Sequence, residues 1–282
     1  MADGAVVITG TSSGIGRATA LRLDAAGFDV FAGVRRAEDG ERLRAEASDR
    51  LRTPILDVTD GDAIAAARSE VEAAVGERGV AGLVNNAGVT INGPLEFVPL
   101  DDVRRQLEVN VVAQIAVTQA FLPSIRRATG RIVNMSSVGG RVANGFLGPY
   151  QASKFAIEAI TDALRKELHP WGIHVVAIEP GSIDTEMWRK GIEEGQEMVE
   201  RLPPEGRELY GETIPKLFEM ARKTAERAVS PDRVAAAVER ALTASRPRTR
   251  YLVGLDARAQ AALGALLPDR AMDAVERRFI GL

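Results

Sequence analysis

Tyr150 and Lys154 stand four residues apart in the run Tyr150-Gln151-Ala152-Ser153-Lys154-Phe155-Ala156, with Ser137 a short way upstream. On a helix, residues i and i+4 share one face, so this run sets a phenol beside an ammonium. A tyrosine hydroxyl titrates near ~10 when unperturbed, too high for proton transfer at neutral pH. A fixed cation stabilises the phenolate and lowers that value. Lowering it by about three units takes about 4 kcal/mol, at roughly 1.36 kcal/mol per unit. The chemistry on offer is proton exchange with a bound oxygen. The spacing alone also fits a surface pair on any amphipathic helix, so the elements that position it carry the decision.

Those elements alternate. Short β-branched runs are predicted as strands at Ala5–Thr9, Asp29–Val34, Pro54–Asp57, Ala81–Asn85, Arg131–Ser136, Ile173–Ile178 and Arg250–Gly254. Between them lie Ala-, Leu- and Arg-rich stretches of helical period: Gly14–Ala26, a charged helix through Ser48, Asp62–Gly76, a long helix Asp101–Arg127, Tyr150–His169 and Asp232–Ser245. Nearly continuous apolar strands alternating with helices imply a parallel sheet covered on both faces. Right-handed crossovers then give an α/β, doubly wound fold of the Rossmann type with about seven strands. A single domain over residues 1–282 is expected. Ser182–Val229 breaks the rhythm with Met187, Trp188, Ile192, Leu202, Tyr210, Ile214, Phe218 and Pro203-Pro204, and reads as a helical substrate lid over 182–229. Residues 255–282 read as a C-terminal helical extension.

Composition narrows the chemistry. The 282-residue chain has no cysteine, which removes disulfides, thiolate zinc sites and a cysteine nucleophile. Its two histidines, His169 and His174, fit a near-helix-end and a strand position and are too few for a His-rich metal site, so no metal is expected. With 36 basic and 39 acidic side chains, the net charge is −3 and no long single-sign block points to nucleic acid. The start of the chain runs almost directly into Ala5-Val6-Val7-Ile8, without the basic-then-apolar pattern of a signal peptide. No apolar run is long enough to span a bilayer. The expectation is a soluble, cytoplasmic protein.

Strand one ends in Thr9-Gly10-Thr11-Ser12-Ser13-Gly14-Ile15-Gly16-Arg17. Glycines here permit a tight turn and close approach to a pyrophosphate, and the helix N-terminus offers N–H donors and partial positive charge. The T-G-x-x-x-G-x-G spacing differs from the usual G-x-G-x-x-G, and the absence of Gly-Lys-Ser/Thr disfavours a P-loop. Gly10, Ser12, Ser13, Gly14, Ile15 and Gly16 are therefore candidate cofactor contacts. Enzymes that prefer NAD place a carboxylate at the end of strand two, on the ribose 2′-OH. Here Arg35 and Arg36 occupy that end, and a guanidinium suits the 2′-phosphate of NADP. NADP(H) is the preferred cofactor on this reading and NAD(H) the lesser one. Arg17 is a second candidate for that phosphate.

At this point the residues resemble the short-chain dehydrogenase/reductase superfamily in its shorter, single-domain branch. The ordered set runs from Thr9-Gly10 through Gly16, Asp57-Val58, Asn85-Asn86-Ala87-Gly88, Asn110, Ser137, Tyr150 and Lys154 to Pro180-Gly181 and Thr185. The resemblance implies that Tyr150 is the general acid or base and that Ser137 bonds the same substrate oxygen. It implies that Lys154 holds the nicotinamide ribose and tunes Tyr150, and that Asn110 binds a water linking Lys154 to solvent. Poor helix propensity at Asn110 is consistent with a local distortion of the long helix. Asp57 and Val58 resemble the pair that holds adenine. Asn86, Ala87 and Gly88 would line the adenosine ribose, with Asn85 chiefly structural. Pro180, Gly181, Ile183 and Thr185 fall where the nicotinamide carboxamide and pyrophosphate are held.

Val142, Phe146 and Leu147 lie between Ser137 and Tyr150 and make the substrate border apolar. A small lipophilic alcohol, ketone or aldehyde is the expected substrate. The run Val30–Arg35 and the long tail look similar to the 17β-hydroxysteroid and retinol dehydrogenase subgroup. A 3-oxoacyl thioester reductase and a non-catalytic NADPH-binding sensor are the alternatives. The surfaces of Asp101–Arg127 and Tyr150–His169 suggest a homodimer or homotetramer. The tail to Leu282 argues against the tetramer contact of acyl-carrier ketoreductases.

Overall fold

The computed structural model describes residues 4–186, 197 and 199–280. Seven strands form one sheet in the order β3-β2-β1-β4-β5-β6-β7. They are β1 (Ala5–Ile8), β2 (Asp29–Ala32), β3 (Leu51–Arg52), β4 (Val80–Asn85), β5 (Arg131–Met135), β6 (His174–Pro180) and β7 (Arg250–Val253). Every neighbouring pair is parallel, with registers such as Val7↔Phe31 and Val7↔Leu83. The order reverses between β1 and β4. In a doubly wound sheet the binding crevice opens there, beyond the carboxyl ends of the strands.

Helices cover both faces. They are α1 (Gly14–Ala25), α2 (Ala37–Arg44), α3 (Gly61–Val75), α4 (Leu100–Leu107), α5 (Ala113–Ala128) and α6 (Gly148–Glu167). After β6 come α7 (Pro204–Tyr210), α8 (Thr213–Ala225) and α9 (Pro231–Thr243), and after β7 come α10 (Leu255–Leu266) and α11 (Asp269–Ile280). Alternation along each strand splits the core in two. Val6, Ile8, Val30, Val133 and Ile178 pack with Leu23, Val234 and Val238 of α1 and α9. Val7, Phe31, Leu83, Ile132 and Val175 pack with Ile64, Val71, Val117 and Phe121 of α3 and α5. Both faces are therefore apolar, which is why the strand sequences read as nearly unbroken hydrophobic runs.

Two elements depart from the sequence expectation. The third strand is Leu51–Arg52, not Pro54–Asp57. Pro54 has no N–H for a ladder. Residues 54–56 instead make one isolated bridge, Val34↔Ile55, closed by Val34 N–H to Pro54 O (3.1 Å) and Leu56 N–H to Val34 O (2.8 Å). The long helix expected over Asp101–Arg127 is divided by a π-turn at Glu108–Val112. Asn110 sits within it, buried, and both ends of its amide are used. Its Oδ1 accepts the Val89 N–H at 2.9 Å, and its Nδ2 donates to Val89 O and Ser153 Oγ, each at 3.0 Å. Gln106, one turn earlier, accepts from Ile91 N–H and donates to Val89 O, both at 2.7 Å. The two amides anchor the loop after β4 to the helix that carries them.

Of the apolar residues expected between β6 and α9, Leu202 and Ile214 are buried, and Tyr210 is edge-on to Phe97 and Phe146. Met187, Trp188 and Ile192 lie outside the described residues.

Candidate active site

Ser137 follows β5 in extended conformation and caps the 3₁₀ turn Val138–Gly140. Its Oγ accepts the Gly139 N–H at 3.1 Å and lies 3.4 Å from Pro180 O, to which it donates. Tyr150 stands in the first turn of α6, close enough to Ser137 for the serine hydroxyl to act on its own. One turn on, Lys154 is buried. Its Nζ donates to Met135 O at 2.8 Å and lies 5.6 Å from the centre of the Tyr150 ring. Ser136 is turned the other way, against Gly140, and its Oγ has no partner among the described residues.

The electrostatics differ from the sequence expectation. Burial pushes the Tyr150 hydroxyl above its ordinary value, opposed in part by the Ser137 hydroxyl. Burial also lowers Lys154 to about 8, against the pull of the Glu158 carboxylate. On the phenol, burial is the larger effect, so the net shift is upward. A phenol held high remains protonated across neutral pH, the state that donates.

These residues line a cleft of about 2000 Å³ that runs over the carboxyl ends of the strands. The Gly-rich turn, Asp57, Val58, Asn86, Ala87, Gly88, Asn110, Pro180, Gly181, Ile183 and Thr185 line it as well. Arg35 lines it and contributes to holding the Asp57 carboxyl below its usual range, after the larger effect of the Thr59 backbone N–H. Arg36 does not reach the cleft; it is the residue before α2 and its side chain is exposed. Arg17 is paired with Glu46. The chain bends at both Arg35 and Arg36 on its way into α2, and only Arg35 borders the cleft.

The cradle fits a dinucleotide. A Cβ on Gly16 would stand 2.1 Å from Gly10 O, and one on Gly10 would stand 2.8 Å from the Ala87 backbone. Gly14 has φ +54°, and a Cβ there would face the Thr185 side chain at 3.3 Å. Only glycine leaves room for a ligand backbone to approach the start of α1. Thr9 Oγ1 accepts both the Asn86 and Ala87 N–H groups at 2.9 Å, and Asn86 Nδ2 donates to Thr9 O and Gly10 O. Asn85, buried, donates to Thr118 of α5 and to Asn134 of the neighbouring strand β5. Beyond the turn at Gly181, Ile183 forms an isolated parallel bridge to Val229. That bridge uses Ser182 O and Asp184 N–H, so the N–H and C=O of Ile183 point away from Val229.

Two sets of residues escaped the sequence reading. Glu179, wholly buried on β6, takes a bidentate pair from Arg141 (2.6 and 2.9 Å) and lies 3.2 Å from Arg250, which also reaches Glu158 and Asp162. A carboxylate in the apolar run His174–Pro180 was its visible signal. Asp256, at the start of α10, accepts the Ser182 N–H at 2.7 Å. The preceding Gly254, at φ +110°, was the only mark it left.

A dinucleotide cradle that ends on a Ser–Tyr–Lys proton site belongs to the nicotinamide-dependent oxidoreductases of Rossmann fold. Residues 4–196 match the family model described as short chain dehydrogenase, and the chain belongs to that family. Retinol dehydrogenase 5 of Mus musculus is 41% identical over 282 residues, covering 97% of this chain and 87% of its own length. The 17-beta-hydroxysteroid dehydrogenase type 6 of Bos taurus is 41% identical over 261 residues, covering 90% and 82%. A short chain dehydrogenase from Burkholderia cenocepacia J2315, solved in complex with NADP, superposes with a TM-score of 0.74 at 26% identity, over 97% of each chain. The chain is thus a retinol- and steroid-dehydrogenase-like member of the family, an oxidoreductase of CH–OH groups that uses a nicotinamide cofactor.

Proposed function

We propose that the protein interconverts a lipophilic alcohol and its ketone or aldehyde with NADP(H), with Tyr150 as the acid and base. The observation that carries this reading is Tyr150 beside Ser137, with Lys154 one helical turn away, all three lining one cleft with an apolar end. Val142, Phe146, Leu147, Ile214, Leu217, Phe218 and Leu263 line that end. The names of the relatives supply the substrate class, retinols and steroids.

The bound cofactor supplies or takes up the hydride. In reduction Tyr150 donates its proton to the substrate oxygen, and Ser137 holds that oxygen in place. Tyr150 is protonated at neutral pH, the state that donates in reduction. Lys154 holds the nicotinamide ribose and places a positive charge beside the phenolate left after transfer. The Asn110 amide is committed to Val89 and Ser153, so a relay water is assigned to its backbone. Ile183 offers one donor and one acceptor to the carboxamide. Asp57 and Val58 take the adenine. Of the three arginines, Arg35 is the one that lines the cleft, which supports it as the 2′-phosphate contact. The helices between β6 and α9 act as the substrate lid. The reading includes a cytoplasmic protein that self-associates through α4, α5 and α6; among the described residues no helix is long and apolar enough to cross a membrane.

The test compares wild type and Tyr150→Phe with NADPH on retinal, a 17-ketosteroid, an aliphatic ketone and a carrier-linked 3-oxoacyl thioester. Turnover by wild type on a free carbonyl, with loss of at least about 100-fold in the variant, is expected from removal of the acid. Turnover confined to the thioester points to the acyl reductase, and none at all points to a cofactor-binding sensor. For the cofactor, Arg35→Ala weakens NADPH about tenfold in a fluorescence titration, the worth of one charge-assisted contact, and leaves NADH unchanged. Tighter NADH than NADPH binding to wild type defeats the NADP assignment.

A further inference from the structure

We propose that Asp256 is a positioning residue for hydride transfer, locking the turn Pro180–Ser182 to the segment that follows the last strand. This deepens the functional reading above and rests on it. The turn has few free groups. The Gly181 N–H donates to Val253 O at 2.9 Å, and the Ser182 N–H donates to the Asp256 carboxylate at 2.7 Å. Ser182 O accepts the Val229 N–H at 3.0 Å, and Asp184 N–H closes on Val229 O at 3.0 Å. Upstream, Glu179 is clamped by Arg141, a residue of the loop that starts at Ser137. These bonds leave the backbone N–H and C=O of Ile183 pointing away from Val229, beside the cleft.

The carboxylate is fitted, not merely near. It lies flat against two glycines: a Cβ on Gly181 would meet its oxygens at 2.3 and 2.4 Å, and one on Gly254 would meet Oδ1 at 2.3 Å. Neither position tolerates a side chain while Asp256 holds the turn. An anion is also favoured in the first turn of α10, where the helix N–H groups are unsatisfied. Asp256 itself lines the cleft, and one turn further on α10 presents Ala259, Gln260 and Leu263 to the substrate end. One carboxylate thus joins the turn that sets the nicotinamide to the helix that forms the substrate wall. A shift of the turn moves the hydride donor relative to Tyr150, and a misplacement of about 1 Å is enough to cost catalysis about 100-fold.

The experiment uses the full chain and three variants, D256N, D256A and, should D256A not fold, D256S, whose oxygen falls a bond short of Ser182. NADPH affinity is read by fluorescence titration without substrate, and kcat and KM with the best carbonyl found for wild type. Asn keeps an acceptor for the Ser182 N–H, so D256N holds both NADPH affinity and kcat within about threefold of wild type, while D256A loses about tenfold in each. Substrate KM changes less than kcat does, because the lost bond holds the cofactor's turn directly and the substrate wall only through α10. Wild-type NADPH affinity in D256A overturns the proposal. So does a D256N as impaired as D256A at an unchanged melting temperature, or a loss confined to KM. Should wild type turn over no carbonyl, the reading above fails, and the NADPH titration still decides the role of Asp256.

Discussion

Lys154 Nζ donates a hydrogen bond to Met135 O from a buried position, and that burial sets how the site responds to pH. Its charge is present below about 8 and is lost above it, because burial disfavours the ammonium. Tyr150 is raised, so it stays protonated through the same range. In the reducing direction kcat/KM should therefore be flat through neutrality and fall as pH rises through about 8, with Lys154 and not Tyr150 setting the limb. A profile flat to pH 10, the range of an ordinary lysine, contradicts this. Residue types and their order were legible in the sequence, because Ser137, Tyr150, Lys154 and the glycines carry their chemistry in their identity. Directions were not legible. Arg35 and Arg36 look equivalent on paper, yet only one reaches the cleft. The pairing of Lys154 with a carbonyl depends on where β5 ends against α6, a tertiary distance that no spacing rule contains.

At the scale of elements, the π-turn at Glu108–Val112 is the device that ties α6 to the loop after β4. π-turns recur at functional sites, and here the turn presents Asn110 toward both the loop after β4 and Ser153 of α6. Asn110→Ala leaves the Val89 N–H without its acceptor in a part-buried position, while Val89 O keeps the Gln106 amide. Stability should fall by about 2 kcal/mol, the worth of one stranded donor, as read from urea unfolding. A change below about 0.5 kcal/mol would mean that water replaces the amide. The doubly wound parallel sheet followed from the sequence because each apolar run is buried on both faces and each crossover has one hand. The third strand did not, since Pro54-Ile55-Leu56 has strand composition and lacks only an N–H. The split of the long helix was foreshadowed by Asn110 alone, because periodicity is continuous across it.

For the whole molecule, the faces of α4, α5 and α6 away from the sheet matter most. Leu107, Val112 and Phe155 are 37%, 49% and 43% exposed on segments that pack side by side. Single exposed apolar residues need no explanation, but three on adjoining elements suit a helix-to-helix contact with a second copy. Such a contact would also matter to the chemistry, because Phe155 directly follows Lys154 on α6. Pairing two copies across α6 would restrain the turn that carries Tyr150 and Lys154 without adding a residue to either cleft. Light scattering on the eluting protein should give twice the 30.2 kDa chain mass. Phe155→Glu sets a charge on that face in each copy, and two like charges brought together in a desolvated contact are strongly unfavourable. The variant should elute as a single chain and bind NADPH as wild type does, since the cofactor groove lies on the other side of α6. A wild type that elutes as one chain, or a Phe155→Glu variant that keeps the doubled mass, rules this contact out.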